Sequence, residues 1–126
     1  MRFSPVGWYV ASYLLRFVEL DDDFNEDPEH RFTAWEDTVI VKASSIEEAY
    51  DKAVAVAKSE TRPYQDGPEG MSVQWIFEGI TMLLPIYEAI ADGTEIAWAE
   101  HRAMKLKNLR KRLKGRNDIQ MKPREI

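Results

Sequence analysis

The chain has 126 residues, of which 44% are hydrophobic and 31% charged, with a formal net charge of −5 and no cysteine. That length is enough for one domain with its own core, and the lack of cysteine excludes disulfides, thiolate chemistry and cysteine-based zinc sites. No apolar run nears the roughly 18 residues of a membrane-spanning helix. The apolar opening MRFSPVGWYVASYLLRF is interrupted by Ser12, stops at Arg16 and lacks a small-x-small cleavage site, so it reads as the start of a soluble, unprocessed, cytoplasmic chain.

Trp8 to Val18 predicts a strand, with Tyr9, Ala11, Tyr13, Leu15 and Phe17 on one face and Trp8, Val10, Leu14 and Val18 largely on the other. Apolar character on both faces predicts a central position in a sheet. Glu19 to Phe32 (ELDDDFNEDPEHRF) has no period, and Pro28 forbids a regular helix interior, so it reads as a long solvated loop. Ala34 to Ala43 predicts a second strand, with Trp35, Val39 and Val41 facing one way and Thr38 and Ile40 the other.

Ser45-Ile46-Glu47-Glu48 has the spacing of a capping box, a serine N-cap followed three residues on by a glutamate. Behind it Ile46, Ala49, Tyr50, Ala53 and Ala57 recur at helical spacing, which predicts an amphipathic helix ending before Arg62-Pro63. The stretch RPYQDGPEG turns the chain. Met71 to Phe77 predicts another strand, with Val73, Trp75 and Phe77 alternating against Ser72 and Gln74.

Beyond Gly79 the pattern is ambiguous: a short strand at Ile80–Leu84, broken at Pro85, followed by a turn of helix. Asp92-Gly93 signals a turn. Thr94 to about His101 then reads as a strand with Ile96 and Trp98 inward, although a single helix from Thr94 to Lys114 is an alternative. A basic amphipathic helix over 102–115, with Gly115 as its C-cap, and a disordered tail over 116–126 complete the chain.

This order predicts an α+β fold: an antiparallel sheet of four to five strands with one helix packed on a face, plus a basic C-terminal helix. Residues 1–101 form a single domain in this reading, with the acidic loop at 19–32.

The segments GWYVASYLLRF, SSIEEAYDKAVAVAKSE, VQWIFEGITMLLPIYE and DGTEI, in that order, resemble the bacterial family named domain of unknown function 4288. The likeness covers roughly Gly7 to Trp98 and leaves the acidic loop and the basic tail outside the shared pattern. It implies a small bacterial α+β protein and brings no activity, cofactor or functional residues.

The residues themselves carry few chemical signatures. Counting from Asp21, Asp23 and Asn25 fit an EF-hand loop, but Glu26 falls where glycine makes the turn and Phe32 where a bidentate glutamate closes the site. His30 and His101 lack the spacing of zinc proteases, and no serine stands in a nucleophile elbow. Gly67-Pro68-Glu69-Gly70 lacks the lysine of a phosphate loop. Carboxylate pairs such as Glu78 with Glu88 or Glu95 with Glu100 are expected by coincidence in so acidic a body. No catalytic residue, metal ligand or cofactor is assigned. Trp8, Trp35, Trp75 and Trp98 fall one to a strand and predict cross-strand core packing, with an exposed interface patch as the alternative.

Charge is the clearest functional signal. Residues 1–100 hold 20 acidic and 7 basic residues, net −13, and residues 101–126 hold 10 basic and 2 acidic, net +8. The acidic loop, through Asp21, Asp22, Asp23, Glu26, Asp27 and Glu29, is the candidate surface for a basic protein partner. In MKLKNLRKRLKG the cations Lys105, Lys107, Arg110, Lys111, Arg112 and Lys114 surround a stripe of Leu106, Leu109 and Leu113. That stripe predicts docking on the chain's own sheet, on a second copy or on another protein. Nucleic-acid binding is the alternative, disfavoured by the acidic body and by the absence of aromatic residues from 104 onward. The expected function is therefore a non-enzymatic protein-interaction module, for example an immunity-type inhibitor that covers a basic toxin domain.

Overall fold

The structure is a computed structural model and describes residues 3–67 and 69–119. Its centre is β1 (Trp8–Glu19), flanked in the sheet by β2 (Ala34–Lys42) and β4 (Met71–Pro85), with the short β3 (Tyr64–Asp66) outside β4. The order is β2-β1-β4-β3 and every pairing is antiparallel. The central place of β1 follows from its two apolar faces. Tyr9, Ala11, Tyr13 and Leu15 are buried on one side, and Val10, Ser12 and Val18 on the other.

Helix α1 (Ile46–Ser59) covers the first of these faces through Ala49, Ala53 and Ala57, all fully buried. Side chains this small let the helix axis come close to the sheet, where Ala49 meets Tyr9 and Val41 and Ala57 meets Tyr13 and Leu15. Tyr50, expected on the same face, is instead 47% exposed. Ser45 is the N-cap as predicted, its hydroxyl accepting the Glu48 amide at 3.1 Å. The reciprocal half of the box is displaced by one residue: the Glu48 carboxylate accepts the amide and hydroxyl of Ser44, both at 3.2 Å.

The ambiguity beyond Gly79 has a specific cause. β4 is one strand of 15 residues, not two, and its register against β1 slips twice. Leu15 faces Phe77 while Leu14 faces Gly79, and Tyr13 faces Ile80 while Ser12 faces Met82, so Glu78 and Thr81 are the extra residues of two β-bulges. Each bulge adds one position, so the core-facing series runs Val73, Trp75, Phe77, Ile80, Leu83. That spacing of two, two, three and three conceals a strand. Phe77, Ile80 and Leu83 all pack toward the helix side.

Among the described residues four strands form the sheet, and the expected fifth at Thr94–His101 is absent. Gly67 and Gly70, both at positive φ, lie between β3 and β4, and β3 is a three-residue strand too short to show a period in the sequence. Trp35 and Trp75 lie 5.3 Å apart on strands either side of β1, and Phe17 meets Trp75 at 5.2 Å, so the predicted cross-strand aromatic packing holds for these residues. Trp98 is not part of it: it lies beyond the sheet, 45% exposed, with its ring 6.0 Å from that of Tyr87.

The C-terminal helix is also far shorter than predicted. Only Leu106–Arg110 is helical (α2), and Lys105 at its N-cap supplies no side-chain hydrogen bond. Five residues without a cap or a packed face do not sustain more than a turn or so of helix. Gly115, expected as a C-cap, is extended and instead precedes a 3-10 turn at Arg116–Asp118. Of the tail expected to be disordered, residues 120–126 lie outside the described residues. No helix among the described residues is long and apolar enough to cross a membrane.

Candidate protein-interaction surface

The acidic loop is a succession of small turns with its own hydrogen bonds. The amides of Asp22, Asp27 and His30 donate to the carbonyls of Glu19, Phe24 and Asp27. Two aspartates act as local turn-formers, Asp22 accepting the Phe24 amide at 2.8 Å and Asp27 the Glu29 amide at 2.9 Å. Its ends are fixed to the sheet, Leu20 donating to the Ser72 carbonyl and Phe17 to that of Thr33.

Arg16 holds the loop in place. It is the one charged residue within the apolar run Trp8–Val18. Alternation along β1 puts it on the face away from α1, with a side chain only 14% exposed. Its Nη1 donates to the Asn25 carbonyl at 2.5 Å and its Nε to Glu78 Oε2 at 2.9 Å, while Glu26 stands 3.7 Å from Nη2. The guanidinium also lies 4.6 Å above the Phe32 ring. Phe32 meets His30 edge-on at 4.8 Å, and His30 stacks on Phe24 at 5.8 Å. The resulting column, Arg16–Phe32–His30–Phe24, runs from the sheet to the loop surface.

None of these residues was assigned a role from the sequence. Arg16 enters the sequence reading only as the point where the apolar opening stops, and the bulge that brings Glu78 to it cannot be read from spacing. His30, an exposed residue, has its Nε2 3.8 Å from an Asp22 carboxylate oxygen.

Between Arg16, Glu78 and the turn at 25–28 lies an open cleft of about 340 Å³ with Phe32 and His30 in its wall. Its rim carries the carboxylates of Glu26, Asp27 and Glu78. Arg16 is already engaged by protein oxygens, so the cleft is chemically suited to a cationic side chain rather than an anion. Of the six predicted contact residues, Asp21, Asp23, Glu26, Asp27 and Glu29 are exposed, and Asp22 is half-buried. Leu20 and Phe24 stand among them, 40% and 57% exposed, so apolar anchors and acidic charge share one surface. Among the described residues no group of three or more His, Asp or Glu is arranged to hold a metal ion.

Lys105, Lys107, Arg110, Lys111, Arg112 and Lys114 are exposed. Leu106, Leu109 and Leu113 are exposed by 56%, 43% and 73%, so the leucine stripe is not docked on its own sheet, and Leu113 lies outside the helix. Among the described residues no ion pair joins this segment to the acidic loop. The predicted basic and acidic elements are both displayed, and they are not brought together within one chain.

These features define a small α+β domain with a helix-backed antiparallel sheet and an acidic loop clamped to it. Residues 8–98 match the family described as Domain of unknown function (DUF4288), and the chain belongs to that family. No curated protein and no solved structure matches the chain.

Proposed function

We propose that the protein is a non-enzymatic interaction module of the cytoplasm whose acidic loop receives a basic protein partner, as an immunity-type inhibitor receives a toxin domain. The observation that carries this reading is the clamp on the loop. Arg16 and its aromatic column preorganise a surface of exposed carboxylates around Leu20 and Phe24, and preorganisation lowers the ordering cost of association. A carboxylate-rimmed cleft beside apolar anchors suits lysine- or arginine-bearing segments, and the charge accelerates encounter.

The test is affinity capture from the native host with the wild-type chain and with Asp21→Lys/Asp23→Lys/Glu29→Lys. A partner retained at physiological salt by the wild type and lost by the variant supports the reading. Equal recovery by both sinks it.

A second reading, nucleic-acid binding, is favoured by one observation: six cations between Lys105 and Lys114 are exposed and without carboxylate partners among the described residues. Gel shifts with RNA and DNA decide it. Binding must vanish on reversing Lys105, Lys107 and Arg110 to glutamate and must fall steeply with salt.

A further inference from the structure

From Tyr87 to Ile119 the chain runs as an arm beyond the sheet. Of these residues only Thr94 and Met104 reach half-burial. Local hydrogen bonds shape it, as in the turn where Thr94 binds Ala89 and Ala91 and in the single helical turn at Leu106–Arg110. Ile90, Ile96, Trp98, Leu106, Leu109 and Leu113 are all between 43% and 73% exposed along it. Six large apolar side chains displayed on one segment mark a contact surface.

We infer that this arm docks on the acidic loop of a second copy of the chain, and that the exchange is reciprocal. The inference rests on the reading of the acidic loop as a receptor for basic protein segments, and it names the segment. Charge complementarity identifies the occupant: residues 101–126, which hold the arm's cations, are +8 and residues 1–100 are −13, so one sequence supplies both halves of the contact. The apolar parts match as well. Leu20 and Phe24 stand exposed among the loop carboxylates, as Leu106 and Leu109 stand among the arm cations. In a two-fold dimer each copy gives one arm and receives one, which closes the assembly at two. A polyanion is the poorer occupant, since the −13 body repels it and no aromatic side chain from 104 onward is available for base stacking.

The experiment is sedimentation of three full-length chains: wild type, arm-reversed (Lys105→Glu/Lys107→Glu/Arg110→Glu) and loop-reversed (Asp21→Lys/Asp23→Lys/Glu29→Lys). The loop positions avoid Asp22 and Asp27, whose carboxylates form the turns. Wild type is expected to dimerise, about tenfold or more weakly when salt is raised from about 0.1 M to about 0.5 M. Each variant alone is expected to be monomeric, because reversing three of the six arm cations or three of the six loop carboxylates cancels the net charge on one side of both reciprocal contacts. An equimolar mixture of the two variants is expected to form a heterodimer, since the unaltered arm of one meets the unaltered loop of the other and the reversed positions again face charges of opposite sign.

A monomeric wild type, a dimer untouched by either reversal, or a mixture that stays monomeric overturns the inference. A wild type that is monomeric and shifts an RNA oligonucleotide through the arm cations overturns it in favour of nucleic acid. Titrating a peptide of residues 102–119 into the arm-reversed chain separates the two levels. Peptide binding by the loop beside a monomeric wild type sinks only the second copy as occupant. No peptide binding, with no dimer, sinks the receptor reading as well.

Discussion

The guanidinium of Arg16 and the carboxylate of Glu78 meet at 2.9 Å and join the middle of β1 to the extra residue of a bulge in β4. The same guanidinium accounts for the Asn25 carbonyl and caps the Phe32 ring, so one side chain fixes both the sheet irregularity and the loop built above it. Arg16→Met keeps the apolar stem, removes the donors and leaves Glu78 and the Asn25 carbonyl without their partner. It is expected to cost about 1–3 kcal/mol in urea unfolding and to speed amide exchange across 20–32 relative to the rest of the sheet. Arg16→Lys restores charge but not the planar fork and recovers only part of the loss. Unchanged exchange in the loop with Arg16→Met would show that the turns stand without the clamp.

Tyr9 and Ser4 close the opposite end of the core. The Ser4 amide donates to the Tyr9 hydroxyl at 3.1 Å, the Ser4 hydroxyl donates to the Ile86 carbonyl, and the Trp8 amide donates to the Ser4 hydroxyl. Ser4 is only 2% exposed and Tyr9 fully buried, so a group stripped of its partner here has little access to water. Tyr9→Phe and Ser4→Ala are each expected to cost about 1–3 kcal/mol. Because they share one network, the double variant should lose less than the sum. Strict additivity in chemical denaturation would contradict a shared network.

The alanine stripe of α1 makes an opposite kind of prediction. Ala53 is fully buried, so Ala53→Leu forces the helix off the sheet and is expected to cost about 1–3 kcal/mol by overpacking. Val56→Leu, on a side chain 37% exposed, is expected to stay within about 0.5 kcal/mol. Thermal unfolding of the two variants measures the contrast, and a tolerated Ala53→Leu would mean that the helix is free to lift.

What the sequence disclosed follows from which forces are local. The two-faced apolar run of β1, the 3.6-residue period of α1 and the Ser45 cap are local signals, and each reappears at its predicted place. β4 was obscured because bulges at Glu78 and Thr81 are set by pairing with β1, which no single segment records. Thr94–Trp98 has the composition of a strand but no neighbour to pair with, and its backbone takes no regular form. The leucines at 106, 109 and 113 have helical spacing, but spacing without a packed face gives only five helical residues. In the candidate surface the acidic residues were legible from composition. Their organiser, Arg16, was not, because its role depends on a residue 62 positions away.

Glu48 links the helix cap to pH. Its carboxylate accepts the Ser44 backbone amide and then the Ser44 hydroxyl, and Lys52 lies 3.7 Å away; together these hold its pKa below the ordinary value of 4.5. A carboxyl with a lowered folded-state pKa stabilises the fold above its unfolded value and loses that contribution as pH falls through the folded one. The cap therefore contributes in full at neutral pH and weakens on acidification below 4.5. Glu48→Gln is expected to be less stable than wild type at neutral pH, with the difference shrinking as the wild-type carboxylate is protonated. Carbon-detected NMR of the Glu48 carboxyl should give a midpoint below that of free glutamate, and thermal melts of both chains across the acid range should converge. A Glu48 midpoint at or above the ordinary value, or parallel melting curves, would mean that the Ser44 contact does not persist in solution.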